Sequence, residues 1–213
     1  GITNGESEHY HYMSNSAYQI VVMKDSNKNH CSFHSMSGGN SMNLSAPKFG
    51  MPFSSEFTED LAEKVEHTEE KGFQIFRMYF HSKDIPGLYF ARVFKMSTNG
   101  FLEHYYEILE YPEDREEIVI NQAFRMNHFN LHFMYEGQLI STDEYLYNDN
   151  DLGNWDAEKI SEGWLLNKKD NRFMAVIWDP ELKLKKNNWQ FMLEETIKKT
   201  DKKSKSLIVA ADY

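Results

Sequence analysis

Histidines are the residues with the most evident capacity for chemistry in this sequence. The chain contains nine of them, and His9 and His11 would share one face of an extended segment. His30 and His34 flank Cys31, and zinc accepts nitrogen and sulfur ligands in a tetrahedron. However, neither His-Glu-x-x-His nor Cys-x-x-Cys occurs. We therefore interpret these side chains as polar strand residues and a buried thiol, and we predict no bound metal or cofactor.

An acidic loop with aromatic neighbours, at 145–156, is the second candidate. Recognition residues collect in loops, which are free of sheet hydrogen bonds. Aromatic rings can stack on the apolar faces of sugars while carboxylates and amides bind the hydroxyls, and an exposed ring in a loop implies a contact. The spacing does not match an EF-hand, so we do not predict a calcium site. The predicted ligand-binding residues are Tyr145, Tyr147, Asp149, Asp151, Asn154 and Trp155.

Catalytic motifs are absent from the sequence. There is no Gly-x-Ser-x-Gly and no glycine-rich phosphate loop. His30 cannot serve Cys31 on one strand, because adjacent side chains point to opposite faces. Paired carboxylates of a hydrolase remain an alternative, since only their separation could decide it. The carboxylates on or near predicted strands are Glu103, Glu107, Glu110, Glu116, Glu117 and Asp143.

The elements that must position these side chains are mostly strands. Residues 73–213 contain short runs with alternating apolar residues, separated by turn-forming clusters at intervals of roughly eight to twelve residues. Asn99-Gly100 is a strong hairpin signal, because both residues tolerate the positive φ of a type I′ turn. We predict an all-β, mainly antiparallel fold, a β-sandwich or an open barrel of about nine or ten strands.

One short helix is predicted near residues 57–70. Phe57, Leu61 and Val65 recur at a four-residue spacing, which places them on one face of a helix. Gly72 follows as a natural helix stop. We expect this helix to lie on a sheet or to cover one end of a barrel.

The chain 1–213 is predicted to form a single β-domain. Residues 1–16 are polar and interpreted as a flexible N-terminal segment. Residues 37–57 contain two Pro and three Gly and are interpreted as a long loop within the domain. Residues 17–36 alone have too little apolar surface to fold independently.

Composition restricts the partners. The net charge of −10 opposes binding to a phosphate backbone, which requires a clustered basic face, so we predict no nucleic-acid partner. The sequence contains no apolar stretch long enough to span a bilayer. A single cysteine excludes an intrachain disulfide. The N-terminus Gly-Ile-Thr-Asn-Gly is typical of a trimmed chain, so what preceded Gly1 is unknown from the sequence, and an extracytoplasmic location is favoured.

The strand-like stretches in the second half of the chain resemble those of a known class of domain. The strand-like stretches 106–108, 116–120, 162–164 and 174–180 are similar to those of β-sandwich accessory domains in some glycoside-processing enzymes. The absence of catalytic motifs, the acidic net charge and the abundant aromatic residues predict a non-catalytic binding or accessory module, with carbohydrate as the candidate ligand. Two alternatives stay open. One is a hydrolase that uses strand-borne carboxylates or a His-bound metal, and the other is a structural domain that binds a protein partner through an exposed sheet edge.

Overall fold

The fold was analysed in a computed structural model of the chain. It describes residues 3–14, 18–23, 31–35, 41–44, 48–49, 62–97, 101–126, 131–142, 155–169, 172–186 and 191–211. These residues form strands throughout, apart from turns and one 3-10 turn at Ala157–Lys159. The predicted all-β class is thus confirmed. None of the described segments contains a helix long and apolar enough to cross a membrane.

Eighteen strands make up the described part of the chain. They are β1 (Thr3–Glu6), β2 (Tyr10–Ser14), β3 (Tyr18–Met23), β4 (Cys31–Ser35), β5 (Ser41–Leu44), β6 (Lys48–Phe49), β7 (Lys64–Glu70), β8 (Phe73–His81), β9 (Tyr89–Met96), β10 (Phe101–Glu110), β11 (Glu117–Met126), β12 (Leu131–Tyr135), β13 (Gln138–Thr142), β14 (Trp164–Lys169), β15 (Arg172–Trp178), β16 (Lys183–Lys186), β17 (Phe191–Lys198) and β18 (Leu207–Ala211).

The strands assemble into two antiparallel sheets of nine. In the first sheet the order is β1-β2-β3-β4-β5-β11-β17-β16, and β6 also pairs with β11. In the second sheet the order is β13-β12-β14-β15-β18-β10-β9-β8-β7. Most neighbours in the second sheet are joined by short hairpins, but β18 lies between β15 and β10 after a long return.

The two sheets pack face to face around a shared core. Phe76 and Phe80 on β8 and Ile120 and Phe124 on β11 are almost wholly buried and belong to the same apolar cluster. Alternate residues on each strand point inwards, because successive side chains in a strand face opposite sides. The architecture is therefore the predicted sandwich rather than an open barrel, and burial of each large side chain contributes about 1.5–3 kcal/mol.

The predicted helix near 57–70 is wrong where the structure describes it. Residues 64–70 form β7, which pairs with β8 through a two-residue turn at Lys71 and Gly72. Both turn residues have positive φ, 51° and 83°, as a type I′ hairpin turn requires. Gly72 thus ends a strand rather than a helix. Residues 57–61 lie outside the described residues.

The N-terminal third contains more strand than the sequence indicated. Residues 1–16, interpreted as flexible, include the paired strands β1 and β2. Residues 37–57, interpreted as a loop, include β5 and β6, which both pair with β11. These short strands raise the total above the predicted nine or ten. The assignment of 1–213 to one domain stays a prediction.

The outer face of the second sheet carries a small second cluster on β8, β9 and β10. Its buried members are Ile75, Ala91, Val93 and Tyr105. Charged side chains lie over it. The Nε atom of Arg77 donates to Glu107 at 2.7 Å, and the ammonium of Lys95 sits 4.3 Å from the centre of the Phe73 ring. This region comprises the outer face of β7, β8, β9 and β10, except for the first residues of β10. We call it the covered half.

Part of the remaining outer face of the second sheet is also apolar but is partly exposed. Phe101, Phe173 and Ile177 are 50 %, 37 % and 40 % exposed. The strand register aligns apolar residues across β10, β18, β15 and β14. We call this region the open half, and its residues are Phe101, Leu166, Phe173, Ala175, Ile177, Ile208 and Ala210.

Candidate functional site

Most of the predicted loop site lies outside the described residues. This applies to Tyr145, Tyr147, Asp149, Asp151 and Asn154. The prediction for these five residues therefore stays a prediction.

Trp155 is the one predicted site residue whose surroundings are described. It is half-buried, and its ring makes edge-on contacts with Phe133 and Tyr135, at centroid distances of 5.7 and 5.1 Å. The indole Nε1 is buried and has no hydrogen-bond partner among the described residues. Trp155 thus packs against the core instead of standing free in a loop.

The candidate histidines do not converge on a metal centre in the described segments. His9 is exposed, with Nε2 3.8 Å from a Glu8 oxygen, and His34 lies in β4 opposite Ser41. His30 is outside the described residues. No group of three or more His, Cys, Asp or Glu side chains that could hold a metal occurs within the described ranges.

The predicted strand carboxylates serve separate structural contacts. Glu103 accepts from the Ser206 hydroxyl at 2.5 Å, and Glu107 accepts from Arg77. The remaining ones, Glu110, Glu116 and Glu117, are exposed, and Asp143 is outside the described residues.

A groove of about 790 Å³ is a concave feature of the described residues that sequence reasoning missed. It opens where β15 ends, between the turn at 179–182, strand β17 and the segment 201–206 that leads into β18. Its lining residues are Ile177, Trp178, Asp179, Glu181, Leu182, Glu194, Glu195, Thr196, Asp201, Lys203, Ser204, Lys205, Ser206 and Ile208.

Lys205 fixes the wall of the groove. Its ammonium lies 2.6 Å from a Glu181 oxygen and 3.3 Å from an Asp179 oxygen. The turn after β15 is therefore held to the segment before β18. These ion pairs raise the pKa of Lys205, chiefly through the hydrogen bond to Glu181, so its charge is retained at neutral pH.

Glu195 is one of the five carboxylates that line the groove. It pairs with Ile120 across the sheet and occupies an inward phase shared with Leu193 and Ile197, both buried. The Lys205 amide donates to both carboxylate oxygens, at 3.0 and 3.2 Å. Burial raises the pKa of Glu195 despite this bond. A carboxyl of raised pKa within a cleft is a typical feature of functional sites.

A buried hydrogen-bond chain joins the core to this wall. Arg92 Nε donates to His104 Nε2 at 2.9 Å, and His104 Nδ1 donates to Gln122 Oε1 at 2.6 Å. The Gln122 amide then donates to the Lys205 carbonyl at 2.7 Å. Burial holds the pKa of His104 well below its usual range, and the Arg92 charge adds to this effect. His104 is therefore neutral, as its acceptor role requires.

Comparisons with known proteins identify the fold. No protein-family model and no curated protein matches the chain. Among solved structures, the chain is similar to the α-N-acetylgalactosaminidase NagBb from Bifidobacterium bifidum in complex with GalNAc, with a TM-score of 0.60 and 10% identity. Its complex with Gal-NHAc-DNJ gives a TM-score of 0.63, also at 10% identity. In both cases the match covers 94% of this chain and 36% of that chain. The ligand-free form gives 0.59 at 11% identity, covering 94% of this chain and 35% of that chain.

The class defined by these observations is a large antiparallel β-sandwich. At this identity the likeness concerns the fold alone. The chain spans about a third of the length of the structures it matches.

Proposed function

We propose that this chain is a non-catalytic β-sandwich module directed at carbohydrate, with the groove beside Glu195 as its ligand site. The observation that carries the proposal is the fold likeness, which extends over 94% of this chain but over 36% of a chain named as an α-N-acetylgalactosaminidase. A part of that size fits an accessory role within a carbohydrate-active protein. The proposal includes a location outside the cytoplasm, and another protein is the alternative ligand.

The composition of the groove fits a hydroxyl-rich ligand. Ile177 and Ile208 supply apolar surface for the flat side of a sugar ring, and Thr196 and Glu195 supply groups that bond to hydroxyls. The lining holds five carboxylates and two ammonium groups. Because that balance is negative, it disfavours phosphate and other anions.

Calorimetric titration tests the ligand class. GalNAc, galactose and glucose are titrated into the wild-type protein, Glu195→Gln and the control Glu117→Gln, a change at the exposed start of β11. We expect GalNAc to bind the wild type and the control equally, and Glu195→Gln to weaken binding about tenfold, or about 1.4 kcal/mol. Absence of binding by every sugar contradicts the function. Equal binding by Glu195→Gln contradicts the groove as the site.

The predicted site at 145–156 is a competing location for the same function, and Trp155→Ala tests it. If the loop binds sugar, this variant loses affinity while Glu195→Gln does not. Because the half-buried ring packs on Phe133 and Tyr135, we expect Trp155→Ala also to cost about 3 kcal/mol of stability, the low end for a buried Trp. A loss below about 0.5 kcal/mol would show that the ring is not a packing residue.

A hydrolase is the second candidate, favoured by the raised pKa of the Glu195 carboxyl. A protonated carboxyl in a cleft can act as a general acid on a glycosidic oxygen. The test is release of nitrophenol from 4-nitrophenyl α-N-acetylgalactosaminide. We expect no release above the uncatalysed rate. Release that Glu195→Gln abolishes and Glu117→Gln preserves would replace the binding module with an enzyme.

A further inference from the structure

The hairpin β1–β2 joins the edges of the two sheets. Strands β1 and β2 end the first sheet, and β7 and β8 end the second. Two side-chain contacts connect them. Asn4 Nδ2 donates to Gln74 Oε1 at 2.7 Å, and His11 Nδ1 lies 3.4 Å from His67 Nε2. The same edge of the sandwich is therefore closed by a neutral amide pair and a histidine pair.

His67 occupies an environment that disfavours charge. The Phe76 ring meets it edge-on at a centroid distance of 4.2 Å, and Phe76 is also its cross-strand partner. Its Nδ1 atom is buried, with no hydrogen-bond partner among the described residues. Burial lowers the pKa of His67, and the charge of Glu6 only partly opposes this effect.

The charged groups around His11 and His67 determine how protonation affects the contact between these two side chains. Glu6 on β1 places an oxygen 3.8 Å from His11 Nδ1. On β7 the same-face neighbours of His67 are Val65 and Glu69, and Glu69 is exposed. A first proton on the histidine pair is balanced by Glu6. A second proton sets two cations on nitrogen atoms 3.4 Å apart, beside the hydrocarbon surface of Phe76.

We propose that the β1–β2 hairpin is a latch between the two sheet edges, closed at neutral pH and released by acid through the His11–His67 contact. The direction of the pH effect follows from the linkage between proton binding and folding. A histidine whose pKa is lowered on folding contributes its stability above its ordinary value of 6.5, and this contribution is lost as the pH falls below that value. The inference is independent of the proposed carbohydrate function.

Hydrogen exchange tests the latch on the intact chain. Protection of residues 3–14 is compared at pH 7.5 and pH 5.0, corrected for the intrinsic exchange rate. The internal reference is β15, because it contains no histidine, whereas β10 carries the buried His104. We expect protection of 3–14 to fall about tenfold, or about 1.4 kcal/mol in the free energy of opening, and to fall by more than that of β15. Equal protection of 3–14 at both pH values overturns the proposal.

Three variants assign the effect. His67→Gln keeps a neutral polar side chain, so protection of 3–14 should become independent of pH. His81→Gln is the matched control, because His81 forms an exposed pair with Glu63 at 2.6 Å, and it should behave as the wild type. His11→Gln should also remove the pH dependence, and it replaces His67→Gln if that variant does not fold. Persistence of the full pH effect in either latch variant overturns the proposal.

Discussion

The covered half and the open half of the second sheet belong to one continuous sheet and contain many of the same residue types. They differ in the exposure of their apolar side chains, which are buried on the covered half and partly exposed on the open half. On the covered half, Ile75 and Val93 are buried beneath ion pairs centred on Arg77. On the open half, Phe101 and Ile177 stand in solvent. The difference lies in the neighbours, because β8 and β10 supply long charged side chains that reach across the sheet, whereas β15 and β18 supply apolar ones.

Apolar residues on the outer face of this sheet thus occur in two different structural situations. On the covered half, aliphatic stems and paired charges complete a second, smaller core. On the open half, a contiguous apolar surface remains, and such surfaces mark places where something binds or packs. Ile177 and Ile208 belong to the open half and also line the groove. The exposed face and the candidate site are therefore neighbours.

The largest expected effect comes from a matched pair of isoleucine truncations. Ile75 is 1% exposed and Ile177 is 40% exposed. Ile75→Ala should lower the free energy of unfolding by about 3 kcal/mol, as buried Ile→Ala changes do. Ile177→Ala should cost less than about 1 kcal/mol, because much of its side chain is already in water. Urea unfolding measures both, and equal losses would erase the distinction between the halves.

The next effect concerns the charged cover itself. Arg77 bonds to Glu107 and to the Thr68 hydroxyl, so Arg77→Met should cost about 2 kcal/mol, in line with hydrogen bonds to charged groups. A double-mutant cycle with Glu107→Gln checks the pairing. Additive losses in that cycle would show that the two side chains are not coupled.

A smaller effect depends on pH. The Tyr79 hydroxyl donates to Glu66 at 3.0 Å, and this bond is the main cause of the lowered pKa of Glu66. A carboxylate of lowered pKa contributes stability above its ordinary value of 4.5, and that contribution is lost as the pH falls below it. Tyr79→Phe should therefore cost under about 1 kcal/mol at pH 7. This loss of stability should be smaller at pH 3.5. Urea unfolding of both proteins at the two pH values measures it, and a loss that does not change with pH would exclude Glu66 as the cause.

The smallest change in stability is expected on the open half. Phe101→Ser should alter the free energy of unfolding by under about 0.5 kcal/mol, as exposed substitutions do. It should nevertheless reduce the fluorescence of a dye that binds apolar surface, because the side chain is 50 % exposed. Undiminished dye binding would indicate that the open half does not act as one surface.

Strands with strong alternation were predictable from the sequence. Residues 89–96 and 101–110 form a hairpin around the Asn99-Gly100 signal, and 172–178 forms a strand where an apolar run ends at Pro180. In each case the local pattern and the turn chemistry agree with the sheet pairing. Because they agree, these strands can be predicted from the local sequence alone.

The segment before Gly72 shows why other elements were not predictable. Its Leu, Ala, Glu and Lys residues have high helix propensity, and the spacing of Phe57, Leu61 and Val65 fits one helix face. Pairing with β8 nevertheless makes 64–70 a strand, because tertiary context overrides propensity. The groove was missed for a related reason, since Glu195 and Lys205 meet only after the loops fold. The one available signal was a carboxylate in phase with Phe191, Leu193 and Ile197.

The position of β18 has a consequence for how the chain reaches its structure. Leu207–Ala211 fills the gap between β10 and β15, which are synthesised much earlier. Until that segment leaves the ribosome, both strands present unpaired edges, which are templates for association with other chains. The second sheet therefore closes only after β18 has been synthesised. Such non-local pairing makes folding slow and leaves the nascent chain dependent on protection until β18 is in place.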